Sequence, residues 1–216
     1  MRLVVWDTKE IKMMDAEGTS DVFIKAFFDN KKALETDTHF RCQDGKASFN
    51  YRLKFNEVFP REGYKLSLQT YDRDFFKSND IIGSFMLDLK QAFTDVELTK
   101  RPLSINQSYF EKYMQNNVDP EKKITFKKTV NNLTNKEELD GSFWIPMESK
   151  TKEGELENNG WVRIQIDILP KTYAETNPVG SARDDPNVEP YLPPPVGRLF
   201  FSLNPWTMFK QCVGPE

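Results

Sequence analysis

Cysteine is scarce in this chain: two in 216 residues, Cys42 and Cys212, far apart. A disulfide-stapled secreted scaffold needs dense, paired cysteine, and this usage suits a reducing compartment. Histidine is scarcer still, with His39 alone, so no Cys/His spacing for a zinc site exists. No apolar run approaches the roughly 18 residues of a membrane-spanning helix, and no N-terminal apolar targeting region is visible. The chain as given is therefore expected to be soluble and non-secreted. An excess of positive charge is also missing. Lys and Arg number 30 against 33 Asp and Glu, a net charge of −3, which argues against a nucleic-acid partner, whose phosphates demand a basic surface. A glycine-rich phosphate loop and other catalytic motifs are lacking too, so the chain is not expected to be an enzyme.

What is present is apolar alternation. With 38% hydrophobic and 13% aromatic residues, the chain can bury one sizeable core. RLVVWD opens as a strand and DVFIKAFFD reads as a second. SFNYRLKF is the cleanest of all: Phe49, Tyr51, Leu53 and Phe55 share one face, and Asn50, Arg52 and Lys54 share the other. KLSLQTY and SFMLDL follow, the latter with Phe85, Leu87 and Leu89 facing the core. SFWIPM and GWVRIQIDIL return near residue 143, with Val162, Ile164, Ile166 and Ile168 on one face. Short strands at regular spacing predict an all-β, antiparallel sandwich. Between about 90 and 140 the pattern breaks into a charged, Asn- and Lys-rich insertion, partly helical around QSYFEKYM. After Pro170, RDDPNVEPYLPPPVG predicts an extended proline-rich segment, and RLFFSLNPWTMF an aromatic run.

The stretch YDRDFFKSNDIIG, residues 71–83, crowds Asp72, Asp74 and Asp80 into one loop between two strands, with Phe75 and Phe76 at its tip. Two unit charges 4 Å apart repel by about 1 kcal/mol even in water. Such a cluster is either splayed in solvent or neutralised by a cation, and hard oxygen donors on an irregular loop suit Ca²⁺. A second pair, Asp15 and Asp21, lies in the earlier loop MMDAEGTSD.

Two aspartates six apart, then D-x-D-x5-D followed by Ile81-Ile82-Gly83, resemble the calcium-binding loops of a C2 domain. VVWDTKEI, ETDTHFRCQDGKASFNYRLKF, RDDPNVEPYLPPP and FFSLNPWTMF further resemble the last C2 domain of ferlins, large multi-C2 membrane proteins. The resemblance runs nearly end to end and is weakest across 90–140. It implies an eight-stranded β-sandwich of type II topology over residues 1–170. Residues 171–216 would be a proline-rich extension ahead of a C-terminal transmembrane anchor that is not in this chain. It also implies Ca²⁺ held by Asp15, Asp21, Asp72, Asp74 and Asp80, and an anionic phospholipid membrane as partner, at the cytoplasmic face of a vesicle or plasma membrane. Fusion proteins or other domains of the same chain are further partners it suggests, in vesicle fusion, exocytosis or membrane repair.

Beside that pattern stand departures. FNEVFPREGYKL joins two strands directly, where animal ferlins carry an extra segment. Lys77 occupies a loop position that is often serine in relatives taking several ions, so its ammonium competes for the same carboxylates. Ala16 and Glu17 stand where membrane-penetrating relatives often carry a large apolar residue.

Phe75 and Phe76 are read as membrane-inserting side chains, the alternative being that they fold back on the sandwich. Lys31, Lys32, Arg41, Arg52 and Lys54 are read as a basic face for lipid headgroups, each near-surface charge giving about 1 kcal/mol; the alternative is an ordinary solvated strand face. His39 and Cys42 lie three apart on a strand and so point to opposite faces, which makes structural roles the expectation. A calcium-independent interaction module and a regulatory domain of a lipid-modifying enzyme or kinase remain as rival functions.

Overall fold

The computed structural model describes residues 1–15, 18–29, 31–74, 77–117 and 141–198, with side chains of 113–117 left aside. Antiparallel strands dominate. β1 (Arg2–Lys9), β2 (Ser20–Phe28), β3 (Leu34–Glu35), β4 (His39–Cys42) and β5 (Ser48–Lys54) come first. β6 (Lys65–Asp72) and β7 (Asp80–Asp88) follow. α1 (Lys90–Thr99), β8 (Leu103–Ile105) and α2 (Gln107–Asn117) belong to the insertion. β9 (Phe143–Lys150), β10 (Leu156–Ile168) and α3 (Lys171–Thr176) close the described chain.

Two leaves are built from these strands. One runs β3/β4–β2–β6–β7, the other β9–β10–β1–β5, and they touch where Ser84 of β7 pairs with Glu148 of β9. Since β3 and β4 both pair with β2 along its same edge, they count as one interrupted strand. The expected eight-stranded sandwich is thus complete, and β8, paired with the end of β10, is an addition from the insertion. β1 lies between β10 and β5, so the domain begins with a central strand, as type II topology requires.

Alternation dictates the core. Leu3 and Val5 of β1, Phe49 and Leu53 of β5, and Ile164 and Ile166 of β10 meet Ile24, Ala26, Leu66 and Leu68 across the sandwich, all at 5% exposure or less. Each such side chain contributes about 1.5–3 kcal/mol on full burial. Leu87 and Leu89 join this core, and Phe85 is partly buried against it. α2 docks through Phe110, whose ring lies 4.9 Å from that of Phe143 and 5.8 Å from that of Phe85.

Register places β1's C-terminus, β2's N-terminus and the β6–β7 connection at one end of the sandwich. The loop 10–19 is seated there by two close approaches. Gly45, at φ +72°, and Gly160, at φ +121°, lie so near the Glu10–Ile11 backbone that a Cβ would fall 2.6 Å and 2.7 Å from its atoms. Positive φ and contact this tight both call for glycine. Asn159, buried beside Gly160, donates to Ile82 O at 2.6 Å and Ser149 Oγ at 2.7 Å, tying the β9–β10 hairpin to β7.

The extension lies against the outer face of β5. From α3 at the opposite end, residues 177–198 run antiparallel to β5 over its whole length. Lys54 Nζ donates to Val179 O at 2.9 Å, and Arg52 exchanges backbone hydrogen bonds with Ala182. Asn50 Nδ2 donates to Pro193 O at 3.0 Å, and Val196 N–H to Ser48 Oγ at 3.2 Å. Leu192 packs on Val4 and Trp6, a small second core under this strap.

Candidate metal and membrane site

The acidic loops do converge, and strand register brings them together. Asp72, the last residue of β6, pairs with Val22 of β2 and with Asp80 of β7, so three strands deliver carboxylates to one end. Asp21 N–H donates to Asp72 Oδ1 at 2.6 Å, while Asp21's own Oδ1 accepts the Arg41 N–H at 2.8 Å. Asp72 is 3% exposed. Burial pushes its carboxyl above the usual 3.8; the Asp21 N–H and Ser20 hydroxyl oppose this, and the charges of Asp15 and Asp21 add to it. The charges of Asp15 and Asp21 therefore reach the Asp72 carboxyl. Asp15 caps its own turn, its Oδ2 accepting from Thr19 Oγ1 at 3.3 Å and its carbonyl from Gly18 N–H at 3.0 Å.

Asp74 and Asp80 are joined by Lys77. Its Nζ stands 2.8 Å from Asp80 Oδ2 and 3.5 Å from Asp74 Oδ2. The Asp80 hydrogen bond and the charges of both carboxylates raise the Lys77 pKa. Asp74 Oδ2 is shielded from solvent and accepts no hydrogen bond. Asn79 supports this loop, its Oδ1 accepting the Asp74 N–H at 3.1 Å. Asn79, Ser20 and Thr19 escaped sequence reasoning, although Ser and Asn flanking each acidic loop are the residue types that brace turns.

Do these residues fit a calcium ion? The donor chemistry does: carboxylate oxygens on irregular loops, one of them shielded from solvent beside the Lys77 ammonium. Their present spacing is looser, for among the described residues no three carboxylate, imidazole or thiol groups are gathered around one point. The loops hold these carboxylates in two subsets, Asp15/Asp21/Asp72 and Asp74/Asp80, the second bridged by an ammonium. Phe75 and Phe76 lie outside the described residues.

The basic face does not assemble. Arg52 is 0% exposed, and its guanidinium donates to Gly180 O at 3.2 Å, Val188 O at 2.8 Å and Pro190 O at 2.6 Å. Lys54 bonds the same strap. The strap covers the polar face of β5 that alternation exposes on paper, so Arg52 is a structural clamp, not a headgroup ligand. Lys31 and Lys32 follow β2 at the end opposite the acidic loops, where Lys31 pairs with Glu57 at 2.6 Å. Arg41 alone of the five stands beside the acidic loops, at φ +53°, with its side chain exposed.

His39 and Cys42 hold structural places. His39 Nδ1 accepts the Ser48 N–H at 3.0 Å, and burial lowers its pKa. Cys42 is 2% exposed, and burial pushes its thiol up, away from a nucleophilic thiolate.

Comparison with known proteins now adds lineage. Residues 1–105 match the C2 domain family; β9 and β10, which complete the sandwich, lie beyond the insertion and outside that match. Myoferlin of Xenopus tropicalis is 29% identical over 223 aligned residues, covering 90% of this chain and 11% of the relative. Ferlin 1 of Toxoplasma gondii is 26% identical over 197, covering 89% of this chain and 11% of that protein. The chain thus spans about a tenth of the ferlins it matches. Among solved structures, a C2 domain of plant extended synaptotagmin 1 aligns with a TM-score of 0.44 at 14% identity, covering 76% of this chain and 88% of its own. With its sandwich, its acidic loops and the similarity carried across nine-tenths of its length, the chain has the C2 fold and is similar to a C2-domain segment of ferlins.

Proposed function

We propose that this domain binds anionic phospholipid membranes in response to Ca²⁺, as part of a ferlin acting in vesicle fusion, exocytosis or membrane repair. Asp15, Asp21, Asp72, Asp74 and Asp80 are the ligands in this reading. The observation that supports it most is the delivery of carboxylates from β2, β6 and β7 to one end of the sandwich, with Asp74 Oδ2 shielded from solvent 3.5 Å from the Lys77 ammonium. C2 domains as a family are non-catalytic modules generally associated with phospholipid and Ca²⁺, which supports the same assignment.

The physical mechanism is charge inversion. Five carboxylates at one end repel a negative leaflet; each bound Ca²⁺ would cancel two negative charges and offer coordination to lipid phosphate. Of the chain's own residues, Asp72 and Asp21 brace the loop bases through their hydrogen bond. Lys77 holds the outer carboxylates and would have to release them for Asp74 and Asp80 to serve a cation. Arg41, exposed beside the loops, would then meet a headgroup in this reading, and Phe75 and Phe76 are the side chains it assigns to the interface.

Lys77 favours one rival, a calcium-independent interaction module whose outer carboxylates are neutralised permanently by the ammonium. Titration calorimetry separates the two. The wild type is expected to bind Ca²⁺ and the Asp72→Asn/Asp74→Asn variant to show no heat while keeping its fold. A wild type that takes up no Ca²⁺, in buffer or with phosphatidylserine vesicles present, refutes the reading in favour of the rival.

A further inference from the structure

The acidic loops leave the proline-rich strap without a role, and its burial repeats every three residues. Leu192 is 1% exposed, Pro195 is buried, and the Arg198 side chain is 8% exposed. Tyr191, Pro194 and Gly197 are exposed, Tyr191 at 65%. Pro193 and Val196 are exposed with them, Val196 at 73%, and Pro190 is half-buried. A repeat of three is that of a polyproline II helix, which four prolines in the six residues 190–195 favour by fixing φ. One edge, 192/195/198, is laid on the sandwich. The other two, 190/193/196 and 191/194/197, form a ridge toward solvent.

This ridge is fixed before any partner arrives. Leu192 packs on Val4 and Trp6. Asn187 clasps it, Nδ2 donating to Leu192 O and Oδ1 accepting the Leu192 N–H, both at 2.9 Å. Arg52 holds Pro190 O at 2.6 Å, and Asn50 holds Pro193 O at 3.0 Å. These bonds are made on the sandwich side, which leaves the rings outside. A segment ordered in advance loses little conformational entropy on binding.

The chemistry of the ridge selects its occupant. Residues 193–195 are all proline and have no N–H to give to an added strand. What they offer is ring surface at three-residue spacing, the shape that aromatic-lined grooves read. Charge adds a second requirement. The strap's two cations, Arg183 and Arg198, both reach inward to Asp37, at 2.5 Å and 2.8 Å, while Asp184, Asp185 and Glu189 are exposed. That acidic flank disfavours an anionic leaflet and favours a groove with a basic rim. Among the described residues Tyr191 is the one exposed aromatic, so a second copy has few rings to offer.

We propose that residues 190–197 are a docking ridge for a protein domain that reads polyproline II helices through an aromatic-lined groove with a basic rim. The ridge lies on the outer face of the sandwich, held by β5, and its binding does not need Ca²⁺.

Purified SH3, WW and EVH1 domains are the probes, each titrated with the full chain by calorimetry, in Ca²⁺ and in chelator. At least one should bind, equally within about twofold in the two buffers. Tyr191→Ala and Pro194→Ala should each weaken that binding about tenfold, with melting temperature and Ca²⁺ uptake as in the wild type. Should Pro194→Ala lower the melting temperature, Tyr191→Ala decides alone, since that side chain is mostly in solvent. Asp184→Lys/Asp185→Lys should weaken binding about threefold at low salt and less at high salt. No binding by any probe at about 100 μM overturns the proposal, as does binding that requires Ca²⁺ or survives the ridge substitutions. Two other outcomes overturn it by reassigning the ridge. One is loss of vesicle binding in Tyr191→Ala; the other is a wild-type dimer, by analytical ultracentrifugation, that Tyr191→Ala dissociates.

Discussion

Replacing Arg52 by methionine separates a clamp from a lipid ligand. Its guanidinium is 0% exposed and reaches three strap carbonyls. A hydrogen bond from a charged donor contributes about 1.5–3 kcal/mol, so three sum to roughly 5–9 kcal/mol before offsets. Two offsets apply. The buried charge costs several kcal/mol of desolvation that methionine avoids, a cost visible in the depressed pKa of Arg52, where burial leads and Arg2 adds. The strap can also lift into water, which re-solvates its carbonyls. The net loss should be about 2–4 kcal/mol, and at about 2–4 °C per kcal/mol for a chain of this size, the melting temperature should fall by about 4–16 °C. Thermal unfolding reads the first effect. Limited proteolysis within 177–198 reads the second, with cleavage expected to accelerate. Vesicle binding, measured well below the melting temperature, should stay within about twofold. An unchanged melting temperature and an intact strap, together with a large loss of vesicle binding, would refute this reasoning and restore Arg52 to an open headgroup face.

Other outcomes follow from the loops. Asp72 has its pKa raised by burial, so it favours folding below the ordinary carboxylate value of 3.8, and that contribution is lost as pH rises through the raised value. Calcium-free stability should therefore decline just above pH 3.8, and Asp72→Asn should flatten the decline in thermal melts across that window; Asp167, shifted the same way by burial, leaves a residual slope. Lys77→Ala frees Asp74 and Asp80 and should raise Ca²⁺ affinity by about two- to fivefold by calorimetry, the scale of an exposed ion pair; unchanged affinity would show that the ammonium does not compete. Phe75→Ala/Phe76→Ala should weaken vesicle binding by about threefold to tenfold with lipid-free Ca²⁺ binding intact. A lowered melting temperature with intact vesicle binding would place these rings on the sandwich instead.

The alternation of SFNYRLKF revealed β5 and its inward Phe49 and Leu53 correctly, because period two follows from backbone geometry alone. It could not reveal what covers the other face. Arg52 and Lys54 look solvated until residues more than a hundred positions later return to accept their hydrogen bonds, and no local signal encodes that return. The carboxylate spacing pointed to one loop cluster; register brings its members to one end of the sandwich without gathering three of them around one point, and the split into two subsets depends on Lys77's reach and on which backbone donors each carboxylate already holds. α2 was legible as an amphipathic stretch. α1 was not, since Leu89 at its N-cap offers no side-chain cap and its first turn has no acidic residue. β8 has three residues and exists because β10 offers its edge, a tertiary cause that no window of that length records.

The most direct measurement is co-sedimentation of the full chain with phosphatidylserine-containing and pure phosphatidylcholine vesicles, in Ca²⁺ and in chelator, at two salt concentrations. Pelleting with phosphatidylserine only in Ca²⁺, weakened as salt screens charges beyond roughly 8–10 Å, is the predicted result. Equal pelleting in Ca²⁺ and chelator, or none with either lipid, would contradict calcium-driven charge inversion.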